Sequence, residues 1–398
     1  MAIYSPFSKA QLLPQEEKLE VARHKSELFI GVPQETAYQE RRICLTPDAV
    51  ASLTSHGHRV LIESGAGESA SFSDKEYSDA GAEITKDTKK VFSCPIILKV
   101  EPPTLPEIEM MNPQTIVISA IQLKTQRKEY FQALATKRIT ALAFEFIKDE
   151  DGSYPAVKSL SEIAGTAAIH IAAEMMINQN IGKGLLFGNI TGVRPTEVVI
   201  LGAGTVAEYA ARTALGLGAS VKVFDNSITR LRRLQNLLNQ RIFTSTIQEK
   251  MLLKSLMRCD VAIGAMRGKN RTPVVVTETM VEHMKKGAVI VDVSIDTGGC
   301  FETSEITTHD KPTFIKNNVI HYCVPNIPSR YSKTASMSIS NIITPFLLHI
   351  ADDGGLESAI RCNRGLKNGI YFYHGLLTNK SIADWFNLEH RDINLIVF

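Results

Sequence analysis

Tryptophan is nearly absent from this 398-residue chain, with a single copy, and neither sign of charge is in excess. Its 44 Lys and Arg against 42 Asp and Glu give a formal net charge of +2. A nucleic-acid or membrane surface needs a clustered basic excess, so neither partner is expected. The first twenty residues carry no continuous apolar run, which predicts no signal peptide. No stretch reads as approaching the length of a bilayer span. The six cysteines, Cys44, Cys94, Cys259, Cys300, Cys323 and Cys362, include no Cys-x-x-Cys pair. They read as reduced, mostly buried thiols of a cytoplasmic protein, and no metal site is predicted. Internal repeats and low-complexity tracts are also missing. Apolar residues make up 44% of the chain, ample core for two domains.

The strongest signal present is the stretch from Glu197 to Ala207, where five strand-forming residues run into a glycine turn. Val206, Ala210, Thr213, Ala214 and Leu217 then recur at helical spacing. A second short strand, Ser220 to Phe224, ends on Asp225. Strand, Gly-x-Gly-x-x-Ala, helix, strand and acid form the dinucleotide-binding fingerprint in its required context. Gly202 permits the tight turn, Gly204 admits a pyrophosphate to the backbone, and Ala207 lets the helix pack on the sheet. The helix start at Thr205 offers unpaired N–H groups to phosphate. Asp225 is placed to accept from both ribose hydroxyls, which favours NAD over NADP. The competing reading is an ordinary tight strand–helix turn.

Before this stretch, strands are expected over 28–32, 59–62, 95–100, 115–121 and 140–146, alternating with helices or loops. Thr46-Pro47-Asp48 opens one helix with a capping hydroxyl, a first-turn proline and an acid at the positive dipole end. Gly57 closes it. Alternation of this kind predicts a largely parallel α/β sheet. Long apolar helices are expected over 161–176 and 336–350, the first leading into the nucleotide-binding half and the second returning from it. That half supplies further strands beginning near Val198 and Val221 and over 260–265, 288–293 and 319–324. The polar residues 1–26, with a short helix around Gln15 to Lys18, read as a surface extension. Tyr371, Phe372, Tyr373, Trp385 and Phe386 cluster near the end and read as core, or else as an oligomer interface.

Several segments resemble the alanine dehydrogenases and the NAD-binding subunit of proton-translocating transhydrogenase. They are Gly31 to Thr36, Arg42 to Pro47, Glu63 to Glu68 and Phe72 to Asp74. The run Val291 to Ser304, Thr307-Thr308-His309, and His321 to Pro328 are closer to alanine dehydrogenase. The resemblance implies an α/β fold of two domains: a discontinuous substrate domain, 1–155 with 332–398, and an inserted Rossmann NAD-binding domain, 156–331. It implies NAD, a small amino-acid substrate, and assembly of identical subunits as a hexamer. Carried over by position, Arg42 falls on the arginine that grips the substrate carboxylate, and Asp296 on the catalytic aspartate. Ser161, Asp225 and Arg230 fall on cofactor contacts, and Asn326 beside nicotinamide and substrate. An arginine fork suits a carboxylate bidentately, although a loop-holding salt bridge would use the same residue.

Two positions break the pattern. Glu101 stands where the family has a substrate-binding lysine, and Gln122 where it has its acid/base histidine. Carboxylate against carboxylate repels, unless Glu101 is protonated or pairs with Lys99 on the same strand face. Glutamine hydrogen-bonds but does not exchange protons near neutrality. Met266 to Arg271 is a basic loop, read as solvated or as a phosphate contact. The expected function is an NAD-dependent oxidoreductase acting on L-alanine, giving pyruvate and ammonia, with Asp296 taking a larger share of proton handling. A catalytically weak NAD-binding homologue, or a dehydrogenase for an amino acid whose extra ammonium pairs with Glu101, are the alternatives.

Overall fold

The computed structural model describes residues 25–123, 125–177, 182–268 and 271–397. The expected helix around Gln15, and Lys269 and Asn270 of the basic loop, lie outside them. The described residues form two sheets. The first contains β1 (Phe29–Val32), β2 (Arg59–Glu63), β3 (Glu83–Thr85), β4 (Ile96–Leu98), β5 (Ile116–Ser119), β6 (Thr140–Ala143), and two strands from near the chain end. The second contains β7 (Glu197–Leu201), β8 (Ser220–Phe224), β9 (Phe243–Ser245), β10 (Val261–Gly264), β11 (Val289–Asp292), β12 (Thr313–Lys316) and β13 (Val319–Tyr322). The late strands, β14 (Ile370–Tyr373) and β15 (Leu376–Leu377), extend the first sheet. The order is β15-β14-β6-β5-β4-β1-β2-β3 in one and β12-β13-β11-β10-β7-β8-β9 in the other.

Each sheet reverses its winding once, between β1 and β4 and between β7 and β10. Open α/β sheets bind ligands outside the carboxyl ends of strands at such a reversal. The sheets are not purely parallel: β12 pairs antiparallel with β13, and β14 antiparallel with both β6 and β15. The short edge strands β3, β9, β12 and β15 were not expected. They are two to four residues long and carry no strong alternation of their own. The expected strand over 140–146 stops at Ala143 and tightens into a 3₁₀ turn, Phe144–Phe146.

The central strands are buried on both faces, and Val198, Val223, Ile263, Ile290 and Ile320 are 0–1% exposed. The long helices are Pro155–Met176 and Ser332–Asp352, each starting earlier than its apolar run suggested. At Gly165 an added Cβ would lie 2.3 Å from the Val206 carbonyl oxygen, so the first of these helices lies hard against the helix Thr205–Gly216. The buried stripe of Thr205–Gly216 is Ala207, Ala210, Ala211 and Ala214, while Leu217 is 46% exposed because the helix ends before it. The expectation that no stretch reaches bilayer length is corrected. Ser332–Asp352, 21 residues with a peak mean hydropathy of 1.2, is long and apolar enough by length and composition. Half of that window is buried in protein, where Ile339, Ile343 and Leu347 pack as a core helix does.

The aromatic tail divides. Tyr371, Phe372 and Tyr373 form β14 and are buried, Tyr371 meeting Tyr130 hydroxyl to hydroxyl at 2.8 Å. Trp385 is half exposed. Of the six free thiols only Cys362 is exposed.

Candidate active site

A cleft of about 1070 Å³ opens between the carboxyl ends of the two sheets. Glu101, Gln122, Asp296 and Asn326 line it, with Glu40, Glu145, Arg267, His309 and Trp385. The segment after β1 is fixed by small hydroxyls from the far end of the chain. Ser329 Oγ accepts from the Arg41 N–H (3.0 Å), Ser336 Oγ from that of Ile43 (2.9 Å) and Ser340 Oγ from that of Thr46 (3.0 Å). All three serines are fully buried. This latch places Arg42 inside the protein, 6% exposed.

Arg42 does not point its fork into the cleft. Its Nε donates to Glu40 Oε1 at 2.7 Å and its Nη2 to Glu40 Oε2 at 2.5 Å, so the bidentate seat holds an internal carboxylate. Glu40 also accepts from the backbone N–H of Arg41 (3.0 Å) and of Arg42 (2.9 Å), and from Asn326 Nδ2 (2.9 Å). Burial alone would raise its pKa; the charge and hydrogen bonds of Arg42 outweigh that and bring it down to about 2.

Glu101 Oε1 lies 3.7 Å from Arg42 Nη2. The expected pairing with Lys99 is therefore wrong. β4 ends at Leu98, so strand alternation no longer governs residues 99–101. Lys99, fully buried, turns instead to Glu35 (3.3 Å) and Glu107 (3.1 Å). Burial, then the charge of Glu40 and a hydrogen bond to it, push Glu101 up to about 8 against the pull of Arg42. A carboxyl raised in this way favours its neutral form, which weakens the repulsion its sequence position suggested. Glu35 is likewise pushed up to about 7, by burial, against Lys99.

Gln122 follows β5 with a left-handed φ of 45°. Beneath it Glu145 Oε1 accepts from the Ile121 N–H at 3.1 Å, and burial pushes that carboxyl up to about 7. On the opposite wall Asp296 sits in the 3₁₀ turn Val293–Thr297 after β11. The buried Asp292 shapes this turn by accepting from the Ser294 (3.0 Å) and Cys300 (2.9 Å) N–H groups and from Ser304 Oγ (2.7 Å). Asp296 accepts from the Asn326 N–H at 3.1 Å. Desolvation raises its pKa, with that N–H, Arg42 and Arg267 pulling it back. Asn326, in left-handed geometry, thus joins Asp296 through its backbone and Glu40 through its side chain.

The dinucleotide loop forms a second group beside the cleft. Gly202 has φ +107°, and a Cβ there would lie 2.4 Å from the Ala265 carbonyl oxygen. Gly204 faces open space, with nothing within 4 Å of an added Cβ. Thr205 begins the helix and Ala207 is fully buried beneath it. Asp225 accepts from the Ala203 N–H (2.8 Å) and the Ser227 N–H (2.7 Å), with Arg230 Nη1 at 4.0 Å. Ser161 Oγ donates to the Val157 carbonyl of its own helix at 2.7 Å. A tight glycine, an open glycine, a helix start and a strand-end acid together fit a dinucleotide. Arg267 of the basic loop is exposed and lines the cleft.

Sequence reasoning missed Glu40, Glu145, Asp292, His309 and Trp385 as parts of this site. Glu40 carried no signal of its own, because the contacts that give it a role come from Asn326 and Ser329.

Known proteins share this fold. The profile of the alanine dehydrogenase/PNT N-terminal domain matches residues 31–164, and that of its C-terminal domain residues 168–380. An alanine dehydrogenase of Mycolicibacterium smegmatis is 36% identical over 92% of this chain and 98% of its own length. Alanine dehydrogenase 2 of Staphylococcus aureus is 36% identical with the same coverage, 92% and 98%. A solved L-alanine dehydrogenase superposes with a TM-score of 0.85 at 33% identity, over 90% of this chain and 99% of that one. A transhydrogenase from Sinorhizobium meliloti shares the fold, with a TM-score of 0.75 at 22% identity over 89% of this chain and 99% of its own.

Proposed function

From its place in the alanine dehydrogenase/PNT family, to which the chain belongs, we propose an NAD-dependent amino-acid dehydrogenase that oxidises L-alanine to pyruvate and ammonia. The observation that carries this reading is Asn326, which ties Asp296 on the nucleotide-binding half to Glu40 on the other half across one cleft. NAD, when bound, supplies the two-electron acceptor. Gly202, Gly204 and Thr205 would seat its pyrophosphate at the start of the helix that Ala207 packs onto the sheet, Asp225 and Arg230 would hold its ribose, and Ser161 would lie along its path. Asp296 accepts a proton from the water that attacks the oxidised substrate. Gln122 orients by hydrogen bonds alone. Arg42 takes the substrate carboxylate once Glu40 gives up the fork and keeps its donors from Arg41 and Asn326.

A catalytically weak homologue is the second reading, and the closed Glu40–Arg42 seat is the observation that favours it. We place the protein in the cytoplasm as a homo-oligomer, a hexamer by family. The deciding experiment follows NADH absorbance with purified protein, NAD and each common amino acid in turn. Turnover on alanine above all others is expected; NAD binding without turnover on any amino acid would favour the weak homologue.

A further inference from the structure

An enzyme that oxidises an ammonium-bearing carbon must take a proton from the nitrogen and later return one. Gln122 cannot do either. With Asp296 assigned to the water, three other side chains on the cleft wall are candidates for the nitrogen. His309 has its Nε2 buried without a partner, and burial and then Arg41 work against the charged ring, which makes it a poor place to keep the proton taken from nitrogen. Glu145 is bound from behind by the Ile121 N–H, which makes it the support of the Gln122 loop. Glu101 differs from both. It lines the cleft, faces Arg42 Nη2 at 3.7 Å, and is hydrogen-bonded to a Glu40 that is already held by Arg42 and Asn326. Glu40 keeps the Arg41 and Arg42 N–H groups and Asn326 Nδ2 as donors when the Arg42 fork leaves it, so it stays the ionised member and the proton of the pair resides on Glu101.

We infer that Glu101, hydrogen-bonded to Glu40 at the cleft wall, is a catalytic residue: the carboxyl that exchanges protons with the substrate nitrogen. The inference rests on the amino-acid dehydrogenase reading. In the oxidative direction an N–H bond of the substrate ammonium breaks, its electron pair stays on nitrogen, and the proton goes to ionised Glu101. The two-electron oxidation that follows belongs to the cofactor. After water has added, the O–H bond of Glu101 breaks and its proton goes to the amino nitrogen. The carbon–nitrogen bond then breaks with its pair to nitrogen, the hydroxyl proton and the proton Asp296 took from the water are lost to solvent, and the carbonyl forms as ammonia leaves. Glu101 ends as it began.

The charged groups around Glu101 set where it titrates. Glu40, Arg42 and Glu35 face it from the segment after β1, and Lys99, held by Glu107 and Glu35, from its own segment. Asp296 and Arg267 lie on the wall across the cleft. Oxidation needs the ionised form, so its rate should rise with pH through about 8.

Glu101→Gln keeps the size and removes the titration. It should lower kcat by about 10²–10⁴-fold with little change in KM, and abolish the rising limb of the pH profile. Glu101→Asp should restore the limb at a displaced midpoint. Independently of turnover, an infrared difference spectrum at neutral pH should show a carboxylic-acid carbonyl band that E101Q loses. An E101Q protein with unchanged rate and limb, or an unchanged band, overturns the inference. Should E101Q fail to fold, as judged by its melting temperature, E101D decides: an unmoved limb overturns it. If the unmodified protein oxidises no amino acid, the proposed function falls and this role with it. If the unmodified protein and E101Q are equally active on alanine, this role alone falls.

Discussion

At the amino ends of β7 and β10, Glu197 and Asp260 sit among Lys222, Lys285, Arg194 and Arg258, at 2.8 to 3.6 Å. At the carboxyl ends of β1 and β4, Glu35, Glu40, Glu101 and Glu107 share Arg42 and Lys99. Both clusters are largely buried on the acid side. In the first, burial is outweighed by the cations and both carboxyls titrate lower than usual. In the second, cations are too few, and burial drives Glu35 and Glu101 up to about 7 and about 8. Cations in excess give a cluster that only holds strands together. Carboxyls in excess give one that stores a proton within reach of neutral pH, as sites of chemistry do.

Breaking each cluster at its centre should separate them most. Lys99 is 1% exposed, so Lys99→Met leaves Glu35 and Glu107 without their cation and should cost about 3–5 kcal/mol. Urea unfolding at pH 8 checks this, and the cost should shrink near pH 5 as Glu35 protonates. Asp260→Asn should cost only about 1–2 kcal/mol, because Arg194, 51% exposed, can turn to water. Its kcat should match that of the unmodified protein; a fall of tenfold or more would make the first cluster functional too.

The next effect is on the pH dependence of stability. Glu35, Glu101 and Glu145 titrate above the ordinary 4.5 when folded, so the folded state binds more protons between that value and about 8. Their contribution is fully present below pH 4.5 and is lost as pH rises through 7 to 8. The melting temperature should therefore fall from about pH 6.5 to 8 at constant ionic strength, above the range where the lowered His58, His309 and His321 act in the opposite sense, and E101Q should flatten its upper part. A melting temperature that climbs steadily from about pH 6.5 to 8 contradicts the assignment.

The smallest effect sharpens the second cluster from within. Glu40→Gln removes the charge that raises Glu101 and frees one edge of Arg42 to pair with it. Any pH limb governed by Glu101 should move to lower pH, by about one unit or more on the scale of a lost neighbouring charge. A limb that stays in place would detach Glu101 from Glu40.

Much of the second sheet could be read in the sequence, because β7, the glycine turn, the helix and Asp225 are consecutive. Local chemistry fixes each step there: Gly202 must adopt φ +107°, and Val198 to Leu201 must be buried. The first sheet was harder, since it recruits β14 from residues more than two hundred positions after β6. The aromatic run at Tyr371 shows burial but not which sheet it joins. In the site, the strand-end acids were visible, but their partners were not. Lys99 and Glu101 are two residues apart, and alternation pairs them only while a strand continues; it stops at Leu98. Glu40 was invisible for a different reason. Its role depends on Asn326 and Ser329, nearly three hundred residues away, holding it over Arg42.

The thiols offer a chemical clock. Burial pushes Cys94 up to about 11 and Cys259 and Cys323 up to about 12, and raises Cys44 and Cys300 well above the ordinary value. Alkylating reagents attack thiolates, so at neutral pH Cys362 should be modified at once and the other five only when their surroundings open. Cys44 and Cys94 pack in the cores around the first sheet, and Cys259 and Cys300 in a core of the second. Under mild denaturant, the order in which these peptides gain mass would give the order in which the two halves come apart.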